Sequence, residues 1–301
     1  MRTAAQPVNP NPDSVGRHRW FRNELAADSF RHLRRSLEKQ GRRYRKELKH
    51  CQKNFSEKSV HELRVAARRL LSTVELLSVF LPRGRVRKIE KFLKRHLDSF
   101  DDLRDTQVQL ASVANLPRAF LAARPFNEWL LSREKRFIEQ SRKRIKSIKA
   151  RPLAKQLAAC QEILEEKQKN CKARAAAALI LRCAGRAFAR AARLQSRIRA
   201  SDPRTIHRTR VAFKRFRYMI EVLAPCLPGA EEQRLQRMRE YQAQMGDIQD
   251  AVVLLATLDK FLRKHEVASE SEEHLREELL RRRRWFIRVY LKGADQLKQF
   301  W

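Results

Sequence analysis

A histidine followed by cations at helical spacing occurs twice in this sequence. The first copy carries His61, Arg64 and Arg68. The second carries His207, Arg210 and Lys214, and its histidine lies 146 positions after His61. Residues three or four positions apart share one face of an α-helix, so each copy predicts a helix with a histidine beside a row of positive charge. Arginine donates paired hydrogen bonds to phosphate oxygens, and lysine offers a point charge. These residue types at this spacing therefore indicate a site for phosphate groups.

The candidate binding residues are the two histidines and the cations that share or flank their faces. They are His61, Arg64, Arg68, Arg69, His207, Arg210, Lys214, Arg215 and Arg217. The opposite faces are apolar, with Leu63 and Leu70 in the first copy and Phe213 and Phe216 in the second. A single amphipathic helix is a common surface element. Two that match position by position favour a functional role for their cationic faces.

Four further cations lie on the helix that follows the first copy. They are Lys88, Lys91, Lys94 and Arg95. They either extend the wall of a binding cleft or form a solvated helix face, which is the usual fate of a run of charge. Both interpretations stay open at this point.

Acidic residues recur as well, since Asp105 and Asp250 end a second repeated motif. We expect both to be structural partners that orient basic side chains. Each histidine either contacts the ligand or forms a hydrogen bond with one of these carboxylates. A metal-dependent phosphohydrolase is a less favoured alternative, suggested by Asp98, Asp101 and Asp102 beside Asp105. The second copy keeps only two acids and no recognised metal-ligand motif is present, so we expect no catalytic residue, metal or cofactor.

The composition points to a polyanion as partner. Among 301 residues there are 68 Lys and Arg against 34 Asp and Glu, a formal charge of +34, while 43% of the residues are apolar. The apolar content supports a folded core, and the large positive excess is best explained by binding to nucleic acid, polyphosphate or an anionic membrane surface. The odd number of cysteines, without a Cys-x-x-Cys pair, argues against a disulfide framework and favours the cytoplasm. No apolar stretch reaches the roughly 20 residues that a transmembrane helix needs.

The elements that must position these residues are helices throughout. We expect an all-α fold of two four-helix bundles with long helices, related by a pseudo-twofold axis, because both motifs repeat in the same order at nearly the same spacing. Residues 1–18 are predicted to be a disordered leader, residues 19–152 the first half, and residues 153–301 the second. Ser59 is the expected N-cap of the first basic helix. Equivalent faces meeting at the axis would bring the two histidine helices to one shared cleft.

The doubled pattern resembles the CHAD family, the conserved-histidine α-helical domain, over about residues 20–301. The resemblance is carried by both basic motifs and by a Leu-Gly-x-x-Arg-Asp signature in the third helices, which here has Asp101 in place of glycine and Gln249 in place of arginine. It implies two helical bundles around a basic cleft that binds inorganic polyphosphate without known catalysis. Members often accompany a triphosphate tunnel metalloenzyme domain, which this sequence lacks, so a free-standing member is expected, in the cytoplasm and at polyphosphate granules.

The main alternative is a protein that binds nucleic acid without sequence specificity, because phosphate contacts would drive that affinity too. Proteins that bind single strands usually alternate aromatic side chains with cations. Here Phe213 and Phe216 lie on the apolar face, and only Tyr218 joins the basic one. A third class, an adaptor at a granule or membrane surface, is permitted by the charge. No helix shows the apolar face that lipid insertion requires.

Overall fold

The computed structural model describes residues 28–116, 123–227, 232–265 and 270–301, so the leader predicted at residues 1–18 lies outside the described residues. Within these ranges the chain is helical, and its only β-structure is an isolated bridge between Arg199 and Asp202. The predicted all-α fold is confirmed. The ten α-helices are α1 (Ser29–Lys53), α2 (Glu57–Leu77), α3 (Arg83–Asp98), α4 (Asp101–Ala114), α5 (Ala123–Ser147), α6 (Arg151–Asn170), α7 (Ala173–Gln195), α8 (Pro203–Leu223), α9 (Glu232–His265) and α10 (Glu270–Gly293).

The starts of the two basic helices are fixed by different caps. The α2 helix begins one turn earlier than predicted, because Ser56 is its N-cap. The Ser56 hydroxyl accepts from the Ser59 backbone N–H at 3.2 Å, and the Ser59 hydroxyl accepts from the Ser56 N–H at 2.9 Å. This reciprocal pair satisfies two backbone donors at once, so Ser59 lies inside the helix. In α8 the Asp202 carboxylate accepts from the Arg204 N–H at 3.1 Å, and Pro203 follows the cap as the sequence predicts.

The helices follow a duplicated plan. The basic helices α2 and α8 correspond, α5 corresponds to α10, and α9 corresponds to α3 and α4 together, since the first half has a break at Ser99 and Phe100. Leu37 and Tyr44 of α1 match Ala184 and Ala191 of α7, and all four are buried. The remaining helix, α6, lies between the two sets in sequence and packs against α1 and α3.

The apolar faces predicted for the basic helices are buried. Leu63, Leu70, Phe213 and Phe216 are each at most 1% exposed. They belong to one core cluster that takes residues from both halves, while a second, smaller cluster joins α4, α5, α9 and α10. Because α2 packs directly against α8, the cationic faces of the two repeats are held side by side. No helix in the described ranges is long and apolar enough to cross a bilayer.

Candidate anion-binding cleft

A cavity of about 640 Å³, here called the open cleft, lies where α2 meets α8, with α3 and α7 completing its walls. Its lining has a strong excess of positive charge. Among the described lining residues, the cations are Arg68, Lys94, Arg190, Arg208, Lys214 and Arg215, and the one carboxylate is Glu75. Such a concentration of cations in a concave surface attracts and retains anions.

Only two of these six cations are neutralised by a described carboxylate. The Arg215 Nε donates to Glu75 Oε2 at 2.9 Å, and the Lys94 ammonium lies 3.6 Å from a carboxylate oxygen of Glu90. The other four make no ion pair with any residue that the structure describes. They are Arg68, Arg190, Arg208 and Lys214. No internal carboxylate therefore competes with a ligand for these four side chains.

Lys214 shows how positive the cleft is. The pKa of its ammonium is lowered to about 6. Burial is the main cause, and the positive charges of Arg68, Arg210 and Arg104 contribute. An isolated lysine titrates near 10.4, so the free protein holds this amine largely neutral at neutral pH. A bound anion would favour the charged form.

Arg64 and Arg210 occupy equivalent positions beside Lys214 but are held differently. Arg64 is 6% exposed, and it donates to the Leu97 carbonyl oxygen at 3.0 Å and to Asp101 Oδ1 at 3.1 Å. Arg210 lies against Gly246, where an added Cβ would come 3.7 Å from its Nε, and that Nε has no hydrogen-bond partner in the described structure. Burial lowers the pKa of both guanidinium groups.

The repeated acids lie among these cations. Burial raises the pKa of Asp250, an effect that Arg104 and Arg210 oppose. Burial likewise raises the pKa of Asp105; the charges of Asp101 and Asp250 add to the shift, while Arg104 and Arg64 oppose it. Both carboxylates thus lie close to the cations that they were expected to orient, and that role stays a prediction.

The two histidines have different surroundings. His207 lines the open cleft, and burial followed by the charge of Arg210 lowers its pKa, while a hydrogen bond with Gln249 opposes the shift. Its Nδ1 is buried without a hydrogen-bond partner among the described residues. His61 is exposed, and no polar partner for it occurs in the described ranges. Neither forms the hydrogen bond to Asp105 or Asp250 that was one of the two interpretations.

Two candidate residues, Arg69 and Arg217, face away from the open cleft. Arg69 lines a separate groove with His32 and Glu221. The Arg217 side chain turns towards α9, where its Nε donates to Gln242 Oε1 at 2.9 Å, and it also pairs with Glu221.

The additional cations of α3 also divide. Lys94 lines the open cleft, whereas Arg95 lines a different groove together with His96 and Arg144. Lys88 and Lys91 are exposed and line neither groove. The structure therefore gathers Arg68, His207, Lys214, Arg215 and Lys94 around one cavity, with Arg64 and Arg210 next to Lys214.

Three cations near the cleft were missed from the sequence. Arg104 influences Lys214 from α4, and it directly precedes Asp105 in the second repeated motif, a signal that could have identified it. Arg208 follows His207 but corresponds to Glu62 in the first copy, so the repeat gave no support for it. Arg190 comes from α7, one of several arginines on that helix, and only tertiary packing selects it.

The aspartates that suggested a metal site have different surroundings. Asp101 pairs with Arg64, and Asp98 lines the groove that contains Arg95. Across the described ranges, no group of three or more histidine, cysteine or acidic side chains is arranged to hold a metal ion.

Comparisons with known proteins agree on one fold. The family model for the CHAD domain matches residues 35–259. The crystal structure of the CHAD domain from the plant Ricinus communis is similar, with a TM-score of 0.64 and 17% identity over 88% of this chain and 91% of that chain. PptA from Streptomyces chartreusis is also similar, with a TM-score of 0.61 and 14% identity over 90% of this chain and 99% of that chain. No curated protein sequence matches the chain.

Proposed function

Because the chain belongs to the CHAD domain family, we propose that it binds inorganic polyphosphate in the open cleft and acts as a binding protein rather than an enzyme. One observation carries this proposal: four of the six cations that line the cleft have no carboxylate partner among the described residues. Retaining such a cluster in a folded protein costs self-repulsion, which a bound polyanion relieves. A chain of phosphates supplies one charge per unit and needs no surface for base stacking.

Nucleic acid is the competing polyanion, and the aromatic side chains favour polyphosphate. Phe213 and Phe216 are fully buried in the core, and Tyr218 is 9% exposed with Arg217 lying over its ring at 4.3 Å. Protein surfaces that bind single strands present several accessible rings for stacking. Within the described part of the open cleft, cations predominate and no such series of rings is present.

The test is a matched pair of quadruple variants, each of which replaces four basic residues. The first replaces the unpaired basic residues of the open cleft: Arg68→Gln, Arg190→Gln, Arg208→Gln and Lys214→Gln. The second replaces four on the exposed surface of α7: Arg174→Gln, Arg182→Gln, Arg186→Gln and Arg193→Gln. Long-chain polyphosphate, DNA and RNA of matched phosphate content compete for each protein at near-physiological salt.

We expect polyphosphate to compete best for the wild type, and the cleft variant to lose far more affinity than the surface variant. Helical content by circular dichroism should be equal in all three proteins. Equal losses in the two variants would mean a diffuse basic surface and would refute the cleft. Stronger competition by DNA or RNA would replace polyphosphate with nucleic acid.

The proposal also includes the absence of turnover and a cellular site. Incubation with polyphosphate and Mg²⁺ or Mn²⁺ should release no phosphate; release that disappears in Asp105→Asn would identify an enzyme instead. A fluorescent fusion should lie in the cytoplasm and collect at polyphosphate granules. Loss of that localisation in the cleft variant, but not in the surface variant, would connect it to binding.

A further inference from the structure

One wall of the open cleft is apolar, which a bare phosphate chain does not require. Leu71, Leu97 and Leu194 are half-buried along this wall, and Val211 leaves 53% of its surface exposed. Tyr218 extends the wall next to Lys214. Apolar surface left in water costs free energy, which a ligand with an apolar part would recover on binding.

The two leucines of this wall have polar counterparts in the repeat. Arg217 stands for Leu71 and Gln242 for Leu97, whereas Val211 corresponds to Val65. The shared helical plan therefore does not demand leucine at these two positions, since the repeat folds with polar residues there. Leu71 and Leu97 are thus specific to the side that has the cavity.

The size of the cavity and its neighbouring cations also suit a ligand larger than phosphate. Its volume of about 640 Å³ lies within the range of roughly 300–1,000 Å³ that is typical of small-molecule sites. Arg190 and Arg208 line it without an ion pair to any described residue. A guanidinium plane in this state can stack over a planar ring.

We propose that the open cleft binds phosphate esters. The phosphates would lie on Arg68 and Lys214, and the uncharged group esterified to them would lie on the wall formed by Leu71, Leu97 and Val211. This inference rests on the proposed function, because the same cations would hold the phosphates. It adds that affinity depends on what is attached to the phosphate group as well as on charge. Two kinds of esterified group could pack on this wall: a nucleoside and an aliphatic chain.

Titration calorimetry in metal-free buffer separates the contribution of phosphate charge to the affinity from that of the esterified group. ATP is compared with inorganic tripolyphosphate, and geranyl diphosphate with inorganic pyrophosphate. Each inorganic ligand carries at least as much negative charge as its ester, so a site that recognises charge alone would bind it at least as tightly. We expect at least one ester to bind five-fold or more tightly than its inorganic partner. The pair in which the ester binds more tightly shows whether the wall accepts a nucleoside or an aliphatic chain.

Val211→Ser tests the wall without altering charge, and Val65→Ser is the matched control at the corresponding position of α2. The ratio of ester affinity to inorganic affinity should fall at least three-fold in V211S and stay at the wild-type value in V65S. Esters that bind no better than their inorganic partners, or equal ratios in the two variants, would overturn the inference. Long-chain polyphosphate is titrated in parallel, so that its binding without an ester advantage refutes only this inference, and its failure to bind refutes the proposed function.

Discussion

The open cleft and the equivalent region of the repeat, which α1, α2, α8 and α9 form, share a helical plan but differ in how their charges are paired. In that equivalent region, Arg43 donates to Glu62 at 2.9 Å, Arg217 pairs with Glu221, and Arg239 lies 3.5 Å from Glu221. We call these five residues the paired flank. In the open cleft, Arg190 and Arg208 stand where the flank has Arg43 and Glu62, Leu71 stands for Arg217, and Lys94 stands for Arg239.

This difference distinguishes the proposed site from the rest of the basic surface. The whole chain is basic, at +34, so positive charge by itself selects no region. The flank has as many arginines as a site would need, yet each of them has a carboxylate partner. An anion arriving there must displace an existing ion pair, whereas in the open cleft it meets cations that have none. Between these two regions, the absence of internal partners therefore distinguishes the proposed site, whereas the number of cations does not.

The largest effect is expected from rebuilding the flank inside the cleft. Arg208→Glu places a carboxylate beside Arg190, as Glu62 lies beside Arg43, and changes the local charge by two units. Affinity for long-chain polyphosphate should fall about 10–100-fold, because two cations are lost to the ligand and log affinity depends steeply on their number. Titration at several salt concentrations should also show a shallower salt dependence. Arg182→Glu on exposed α7 is the control, and an equal loss there would contradict the prediction.

A second prediction concerns pH and Lys214. Since the ligand-free amine has a pKa of about 6, and a bound anion favours its charged form, affinity should strengthen as the pH is lowered from 8 towards 6. Lys214→Met should remove most of this dependence, and Lys214→Arg should bind tightly across the whole range. Binding measured at fixed ionic strength gives the comparison. A wild-type affinity that is constant with pH would contradict it.

Lys214 should lower the free energy of unfolding of the ligand-free protein. An unfolded lysine has a pKa of about 10.4, so between about pH 6 and 10 the unfolded chain holds a proton that the folded chain lacks. Stability therefore rises with pH across that window. Lys214→Met should raise the free energy of unfolding at pH 7 by roughly 1–4 kcal/mol, because folding would no longer have to remove a proton from this amine. Thermal unfolding at pH 6.5 and 9 would measure it, and a lower unfolding temperature in the variant would refute it.

Replacing Glu62 of the paired flank by arginine, the residue at the equivalent position 208, should create weak polyphosphate binding there. Glu62→Arg frees Arg43 from its ion pair and adds two units of charge to the paired flank. We expect a second, weaker binding event for polyphosphate, because Arg217 and Arg239 stay paired with Glu221. Calorimetry at low salt would detect it as an increase in stoichiometry. An unchanged stoichiometry would show that the flank needs more than free charge to bind.

The smallest effect is expected at Gly246. Gly246→Asp gives Arg210 the partner that Asp101 gives to Arg64, and the new Cβ fits, since its nearest contact would be 3.7 Å from Arg210 Nε. Polyphosphate affinity should fall about two- to five-fold through the loss of one free cation. Gly246→Ala, which adds the Cβ without the charge, is the control. Equal losses in the two variants would assign the effect to packing rather than to charge.

Much of the fold follows from local signals in the sequence. The helical periodicity and the buried faces of α2 and α8 were predictable, because each depends on residues within a few turns of one another. The duplication was predictable because two motifs recur in the same order at nearly the same spacing. The N-cap of α2 was misjudged because Ser56 and Ser59 are both good caps, and only their reciprocal hydrogen bonds decide between them.

The site was harder to predict because its membership depends on tertiary direction. Periodicity places Arg217 on the same helix face as Lys214, yet Gln242 and Glu221 draw its side chain away from the cleft. The repeat treats the two halves as equal, so it could not show that one side is open and the other paired. That asymmetry arises from single exchanges such as Glu62 for Arg208, which a search for similarity between the halves passes over.

The division of the apolar interior into two clusters has a consequence for how the molecule opens. Residues 254–261 of α9 belong to the smaller cluster, together with parts of α4, α5 and α10, while the cleft helices α2 and α8 belong to the larger one. Regions with separate apolar clusters often exchange their amide hydrogens as distinct cooperative units. We expect the smaller cluster to exchange first, through openings that leave α2 and α8 folded. Polyphosphate should then slow exchange in α2 and α8 and leave the smaller cluster at its original rate.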